Sequence, residues 1–144
     1  MIQIRPMERA DVDVISRLEE ETFSMPWSRD AFLEMITKDD AAYYVAELDG
    51  RVVGGCGVLM AAGEGNITNV VVAEEARNKG IGTKMLRHLM EEGERNGLGA
   101  FTLEVRVSNA PAIHVYEKLG FLSEGIRPNF YEKPTEDAVI MWKR

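Results

Sequence analysis

One cysteine, Cys56, stands among 144 residues, so no internal disulfide can form and the chain suits a reducing cytoplasm. No apolar run approaches the length that crosses a bilayer. Met1-Ile2-Gln3-Ile4-Arg5-Pro6 holds no signal-peptide core. Cations are the minority: 17 Lys and Arg against 24 Asp and Glu give a net charge of −7. That balance argues against sequence-independent nucleic-acid binding, which needs a basic surface. It is compatible with a cationic partner, an amine or a basic peptide, although an ordinary acidic surface is the simpler source of the bulk charge. The two histidines, His88 and His114, have no companion cysteines and no carboxylate motif, so no metal site is expected. Repeats and low-complexity tracts are absent. The longest run of one sign, Glu19-Glu20-Glu21, reads as a solvated helix face. What is there, 45% hydrophobic and 28% charged residues, reads as one soluble domain over residues 1–144.

Hydrophobic spacing sets out the elements. Ile2 and Ile4 alternate with Gln3 and Arg5 and predict a short strand ending at Pro6. Val12, Ile15, Leu18 and Phe23 are spaced for one helix face. Ser24-Met25-Pro26-Trp27 breaks that helix, and Ser28 can cap a second one carrying Phe32, Met35 and Ile36. Strands follow at Tyr43–Leu48 and Arg51–Met60, joined by Asp49-Gly50, a hairpin signal. A third strand of this meander runs from Asn66 to Val72. A helix expected to run on from Thr83 carries Met85, Leu86, Leu89 and Met90 on its apolar side, with Ile81 before them, and ends near Asn96-Gly97. Phe101–Val107 is a strand. Asn109 can cap a further helix with Pro111 in its first turn, where a missing N–H costs nothing. Phe121 opens another extended stretch, and Ala138–Trp142 is the last strand. The result is an α/β chain around one mixed, mostly antiparallel sheet with helices on both faces.

The most informative stretch lies where the third meander strand meets its helix. A β-branched run stops at Val72, and Arg77-Asn78-Lys79-Gly80-Ile81-Gly82 then leads into Thr83 and Lys84. A strand feeding a glycine turn that opens a helix can hold a phosphorylated ligand, because the helix N-terminus offers unpaired N–H groups and the positive end of a dipole. Glycine lets the backbone come close to the anion. The Walker pattern needs Lys directly after its last Gly, and the dinucleotide pattern needs a third Gly where Met85 stands; neither fits.

What fits is Arg/Gln-x-x-Gly-x-Gly/Ala, and Arg77 through Gly82 resembles the pyrophosphate loop of the GNAT family of acyl-CoA N-acyltransferases. A second segment, Asn109-x-x-Ala112 leading to Tyr116-x-x-x-Gly120-Phe121, is similar to that family's second cofactor motif. The element order is that of the GNAT fold, and the resemblance covers nearly the whole chain. Three separated segments resemble the RimI branch, whose bacterial enzymes acetylate the N-terminal alanine of a small-subunit ribosomal protein. They are Leu103-Glu104-Val105-Arg106 with Ser108-Asn109, Phe23 to Ser28, and Ile126 to Tyr131. The chain departs from that branch at Pro128, where a second Arg is usual, and at Thr83, where a basic residue is frequent.

The resemblance implies acetyl-CoA as cofactor and a protein N-terminus as acceptor, with no nucleic acid and no membrane involved. Acetyl transfer from a thioester requires the amine to lose a proton, the carbonyl oxygen to be stabilised, and the thiolate to leave protonated. An α-amine has an ordinary pKa of about 8, so a carboxylate suffices as base, directly or through water. Glu104 is the candidate; on pattern alone it is equally an exposed sheet position or a partner for Arg106, which shares its strand face. Tyr116 is the candidate acid: the resemblance gives it that role, whereas a helical Tyr by itself usually packs in a core. The same resemblance implies cofactor contacts from Val70, Val71, Val72, Arg77, Asn78, Lys79, Gly80, Ile81, Gly82, Thr83, Asn109 and Tyr116. Asn109 can also simply cap its helix. Met25, Pro26 and Trp27, with Asn129 and Tyr131, are expected to flank the amine beside Glu104. Trp27 can instead staple two helices, and Tyr131 can close the core.

Cys56, in a glycine-rich strand with no base nearby, reads as a buried inert thiol. No activated nucleophile is visible, so direct attack of amine on thioester is expected. Two rivals stay open: a GNAT enzyme acting on a small amine or a lysine side chain, and a non-catalytic acyl-CoA sensor. A sensor needs neither Glu104 nor Tyr116.

Overall fold

A computed structural model describes residues 1–144. The chain opens with β1 (Ile2–Pro6), α1 (Val12–Thr22) and α2 (Arg29–Thr37), then forms the meander β2 (Ala41–Leu48), β3 (Arg51–Ala61) and β4 (Glu64–Val72). It continues through α3 (Ile81–Arg95), β5 (Ala100–Arg106) and α4 (Ala110–Lys118) to the hairpin β6 (Leu122–Tyr131) and β7 (Glu136–Lys143). All strands join one sheet in the order β1-β2-β3-β4-β5-β7-β6. Every pairing is antiparallel except β4 with β5, which is parallel. This is the mixed sheet the spacing predicts. No helix is long and apolar enough to cross a membrane.

Alternation along β3 shows which helices cover which face. A Cβ added at Gly54 would meet Met85 of α3, whereas one at Gly57 would meet Met35 of α2. Two apolar clusters result. The larger gathers Met85, Leu89, Phe101, Leu103, Tyr116 and Phe121 with Tyr44 and Cys56 under α3 and α4. The smaller holds Val12, Ile15, Phe32, Met35, Tyr43 and Val45 under α1 and α2.

Local chemistry fixes the element ends. Ser28 Oγ accepts the Ala31 N–H at 3.2 Å and starts α2. Asn109 Oδ1 accepts the Ala112 N–H at 3.3 Å and starts α4. Asp49 and Gly50 both take positive φ, +52° and +83°, as a tight hairpin turn requires. Helix α3 opens at Ile81, two residues before the expected Thr83, because Gly80 in the left-handed region (φ +75°) occupies the N-cap. Phe23 lies beyond α1 in extended backbone and is 37% exposed, so it leaves the apolar face assigned to it. The glutamate run also departs from expectation: Glu20 and Glu21 are exposed, but Glu19 is buried at 1% exposure, in line with Val12 and Ile15.

The feature that shapes the molecule is the seam between β4 and β5. Only Glu64–Ala100, Gly65–Phe101 and Asn66–Thr102 pair across it. Beyond Asn66 and Thr102 the two strands run on without pairing, so the sheet opens into a cleft toward Val72 and Arg106. A bulge sits on the β4 wall: Gly55 pairs with Val71 and Gly57 with Thr68, which leaves Asn69 and Val70 opposite Cys56 alone.

Candidate active site

Strand alternation carries Glu104 onto one wall of the cleft. Phe101, Leu103 and Val105 point into the larger core, so Thr102, Glu104 and Arg106 share the other face. The alternative of a Glu104–Arg106 pair is not realised. Arg106 donates to Glu136 at 3.0 Å and to the backbone carbonyls of Glu132 and Pro134, and its guanidinium lies 4.5 Å from the centre of the Tyr131 ring. Glu104 makes no hydrogen bond. Its nearest cation is the half-exposed Arg127, at 3.8 Å. The carboxylate is therefore shielded, with its side chain 18% exposed, and chemically uncommitted.

One tyrosine stands in its field, and a second stands behind that one. Tyr131 is half-buried, and its phenol is pushed up to about 12, first by burial and then by the negative charge of Glu104, with Arg106 opposing. Tyr116 is buried on α4 with its ring against Phe121 at 6.0 Å. Burial, with a smaller contribution from Tyr131, raises its phenol well above the ordinary range. Tyr116 thus keeps its proton through neutral pH. The fold couples Glu104 to Tyr131, and Tyr131 in turn to Tyr116, residues 12 to 27 positions apart in sequence. Cys56 is fully enclosed nearby, and desolvation pushes its thiol up to about 12, as an inert thiol requires.

Facing them across the cleft is the loop that runs from β4 into α3. Gly80 has no side chain to cap α3, so the first N–H groups of the helix have no side-chain partner. A Cβ added at Gly82 would meet only Val72 Cγ2, at 4.0 Å, so that turn presents bare backbone outward. Arg77 is exposed, and its Nε donates to the Val72 carbonyl at 3.0 Å, tying the loop to the end of β4. That contact occupies the carbonyl of Val72, one of the residues expected to contact the cofactor. Val70 and Val72 are partly exposed, and Val71 is buried. Asn109 is engaged through its Oδ1 as the cap of α4.

The segments expected to flank an amine meet at the far edge of the cleft. Ser24 Oγ donates to the Glu132 carbonyl at 3.4 Å, linking the α1–α2 loop to the turn between β6 and β7. Trp27 packs on Phe32, with ring centres 5.6 Å apart, and so takes the stapling role. Met25 stays half-exposed. Asn129 takes a positive φ of +53° within a bulge of β6, and its N–H donates to Asp137. Phe130, within the segment expected to flank the amine, and Ile126 are exposed apolar side chains on β6; Ile126 and Arg127, whose guanidinium lies 5.4 Å from the centre of the Phe130 ring, were not among the expected site residues. The reading from sequence also missed Glu19 and Asn69. The signal for Glu19 was available, because it continues the i, i+3, i+7 stripe of Val12 and Ile15. Two surface hollows lie elsewhere, beside α2; Trp27 lines one of them, and neither is lined by Glu104, Tyr116 or the β4–α3 loop.

The acetyltransferase (GNAT) family model matches residues 12–121. The chain is 36% identical to a Bacillus subtilis protein described provisionally as a ribosomal protein bS18-alanine N-acetyltransferase, over 96% of this chain and 93% of that one. It is 32% identical to the Escherichia coli ribosomal protein bS18-alanine N-acetyltransferase, over 98% of this chain and 96% of that one. The crystal structure of the Escherichia coli ribosomal-protein-S18-alanine N-acetyltransferase is similar to this fold with a TM-score of 0.91 at 30% identity, covering 99% of this chain and 93% of that one.

Proposed function

This chain belongs to the acetyltransferase (GNAT) family, and on that premise we propose that it transfers the acetyl group of acetyl-CoA to the N-terminal α-amine of a protein, the N-terminal alanine of a small-subunit ribosomal protein. The observation that carries the reading is the uncommitted Glu104 carboxylate on one wall of the β4–β5 cleft, with the bare N-terminus of α3 on the other. The acceptor follows the relatives, whose names specify the bS18 alanine.

The residues present fit acetyl-CoA. The uncapped N–H groups of Ile81, Gly82 and Thr83, at the positive end of α3, suit a pyrophosphate. Lys79 adds positive charge, and Asn78 holds the turn with a positive φ of +64°. The backbone of Val70, Val71 and Val72, unpaired on its β5 side, suits the amides of a pantetheine arm. Acetyl-CoA supplies the acyl group already activated as a thioester. Glu104 takes the proton from the amine, which needs little help with an ordinary pKa of about 8. Backbone N–H groups on the bulged wall of β4 stabilise the oxygen that gains charge. Tyr116 holds a proton to give to the departing sulfur, and its high affinity for that proton keeps it loaded between turnovers. Met25, Pro26, Asn129, Phe130 and Tyr131 border the approach of the acceptor.

The test is release of free thiol from acetyl-CoA, with a hexapeptide beginning with alanine as acceptor and the same peptide N-terminally blocked as control. Release with the free peptide alone is expected. Release with neither, or equally with both, would contradict the reading.

A further inference from the structure

The seam of the sheet has a buried polar knot beside it that the acetyl-transfer chemistry leaves unused. Glu19 Oε1 accepts two hydrogen bonds, from the Trp27 backbone N–H at 3.2 Å and from Asn69 Nδ2 at 3.0 Å. Glu19 Oε2 has no partner, and neither do Tyr43 Oη, Thr68 Oγ1 and Asn69 Oδ1, all buried. These groups converge over the glycines of β3. An added Cβ at Gly55 would lie 2.4 Å from Tyr43 Oη, and one at Gly57 would lie 3.0 Å from Thr68 Oγ1. Burying a carboxylate with one oxygen unsatisfied costs stability, and desolvation accordingly raises the Glu19 carboxyl. A hydrophobic residue in line with Val12 and Ile15 would fill the same place without that cost.

What the carboxylate does is join two parts of the cleft by hydrogen bonds. Trp27 belongs to the α1–α2 loop at the acceptor side of the cleft. Asn69 sits at the β4 bulge with φ +55°, next to the valines that wall the cofactor side. We propose that Glu19 is a positioning residue that locks the acceptor loop to the β4 bulge, so that the backbone groups after Asn69 and the loop carrying Met25 to Trp27 hold one fixed relation across the cleft. This rests on the β4–β5 cleft being the site of acetyl transfer. Glu19 itself touches no reacting atom.

The role is one of hydrogen-bond geometry, so a neutral acceptor serves as well as a charged one. Glu19→Gln keeps an oxygen for Trp27 and Asn69 and adds an amide that can donate to Asn69 Oδ1 or Tyr43. Its kcat/KM for the peptide is expected to stay within about threefold of the parent. Glu19→Leu fills the space and removes both acceptors. Its kcat is expected to fall by about tenfold or more and its peptide KM to rise, because small misplacements at a site of attack cost up to about a hundredfold in rate. The CoA dissociation constant, measured by calorimetry, is expected to change by less than kcat does, since the α3 N-terminus that suits the pyrophosphate is untouched. Asn69→Gly keeps the positive φ but cuts the link from the other end, and it decides the matter if Glu19→Leu fails to fold. It is expected to lower kcat, and the double variant is expected to lose no more than the worse single one. Parent-like kcat and KM in folded Glu19→Leu or in Asn69→Gly would overturn the proposal, as would a Glu19→Gln as impaired as Glu19→Leu. A parent protein inactive on every peptide would instead overturn the reading of the cleft, a separate result.

Discussion

At the scale of single residues, the cleft depends on which carboxylate is left without a hydrogen-bonded cation. Arg106 is drawn away to Glu136 and to two carbonyls, and Glu104 keeps only a distant, half-exposed Arg127. Glu104→Gln is therefore expected to lower kcat by more than about tenfold, since positioned bases contribute about 10² to 10⁴. Its CoA affinity should be unchanged. Steady-state thiol release and calorimetry on the same preparation check both halves, and unchanged turnover would remove Glu104 from the mechanism. Glu19 gives a second expectation, in stability. Its folded carboxyl titrates above the unfolded value of about 4.3. Between those two values the folded state binds more protons than the unfolded one. The contribution of Glu19 to stability is therefore greatest below that window and falls as pH rises through it, opposite in sign to that of the lowered carboxyls such as Asp11 and Glu136. Urea unfolding at acid and mildly alkaline pH should show this decline in the parent relative to Glu19→Gln. An identical slope in both proteins would contradict the burial of a charged Glu19.

At the scale of elements, the first turn of α3 separates binding from folding. Gly82 faces open space, so Gly82→Leu should leave the melting temperature close to the parent value while weakening CoA binding by about tenfold or more, equivalent to about 1.4 kcal/mol. A loss of stability without a loss of affinity would show that this turn serves the fold alone. The elements were also the most legible part of the sequence. Asp49-Gly50, Ser28 and Asn109 act as the hairpin and cap signals they resemble, because each works through its own neighbours. The boundary of α3 was misplaced by two residues, since composition does not say which glycine takes the left-handed cap. Glu19 was misjudged for a different reason. Its charge outweighs the stripe it continues, and its partner Asn69 lies 50 residues away. The bulge at Asn69 and the capture of Arg106 by Glu136, 30 residues on, depend likewise on contacts that only the folded sheet creates.

At the scale of the whole molecule, the sheet is two halves, β1 to β4 and β5-β7-β6, joined by three residue pairs and by the larger core packed beneath them. Their parting exposes backbone on one wall and a shielded carboxylate on the other. The α1–α2 loop and the β6–β7 turn close the acceptor side through Ser24 and Glu132. Such an arrangement suits an extended chain end entering between those two segments with its amine foremost. The most direct measurement is therefore where the acetyl group goes. A peptide beginning with alanine and carrying an internal lysine is incubated with acetyl-CoA and the protein, then sequenced by tandem mass spectrometry. The account predicts acetyl on the α-amine alone. Acetyl on the lysine, or none on the peptide while a small amine is modified, would contradict it.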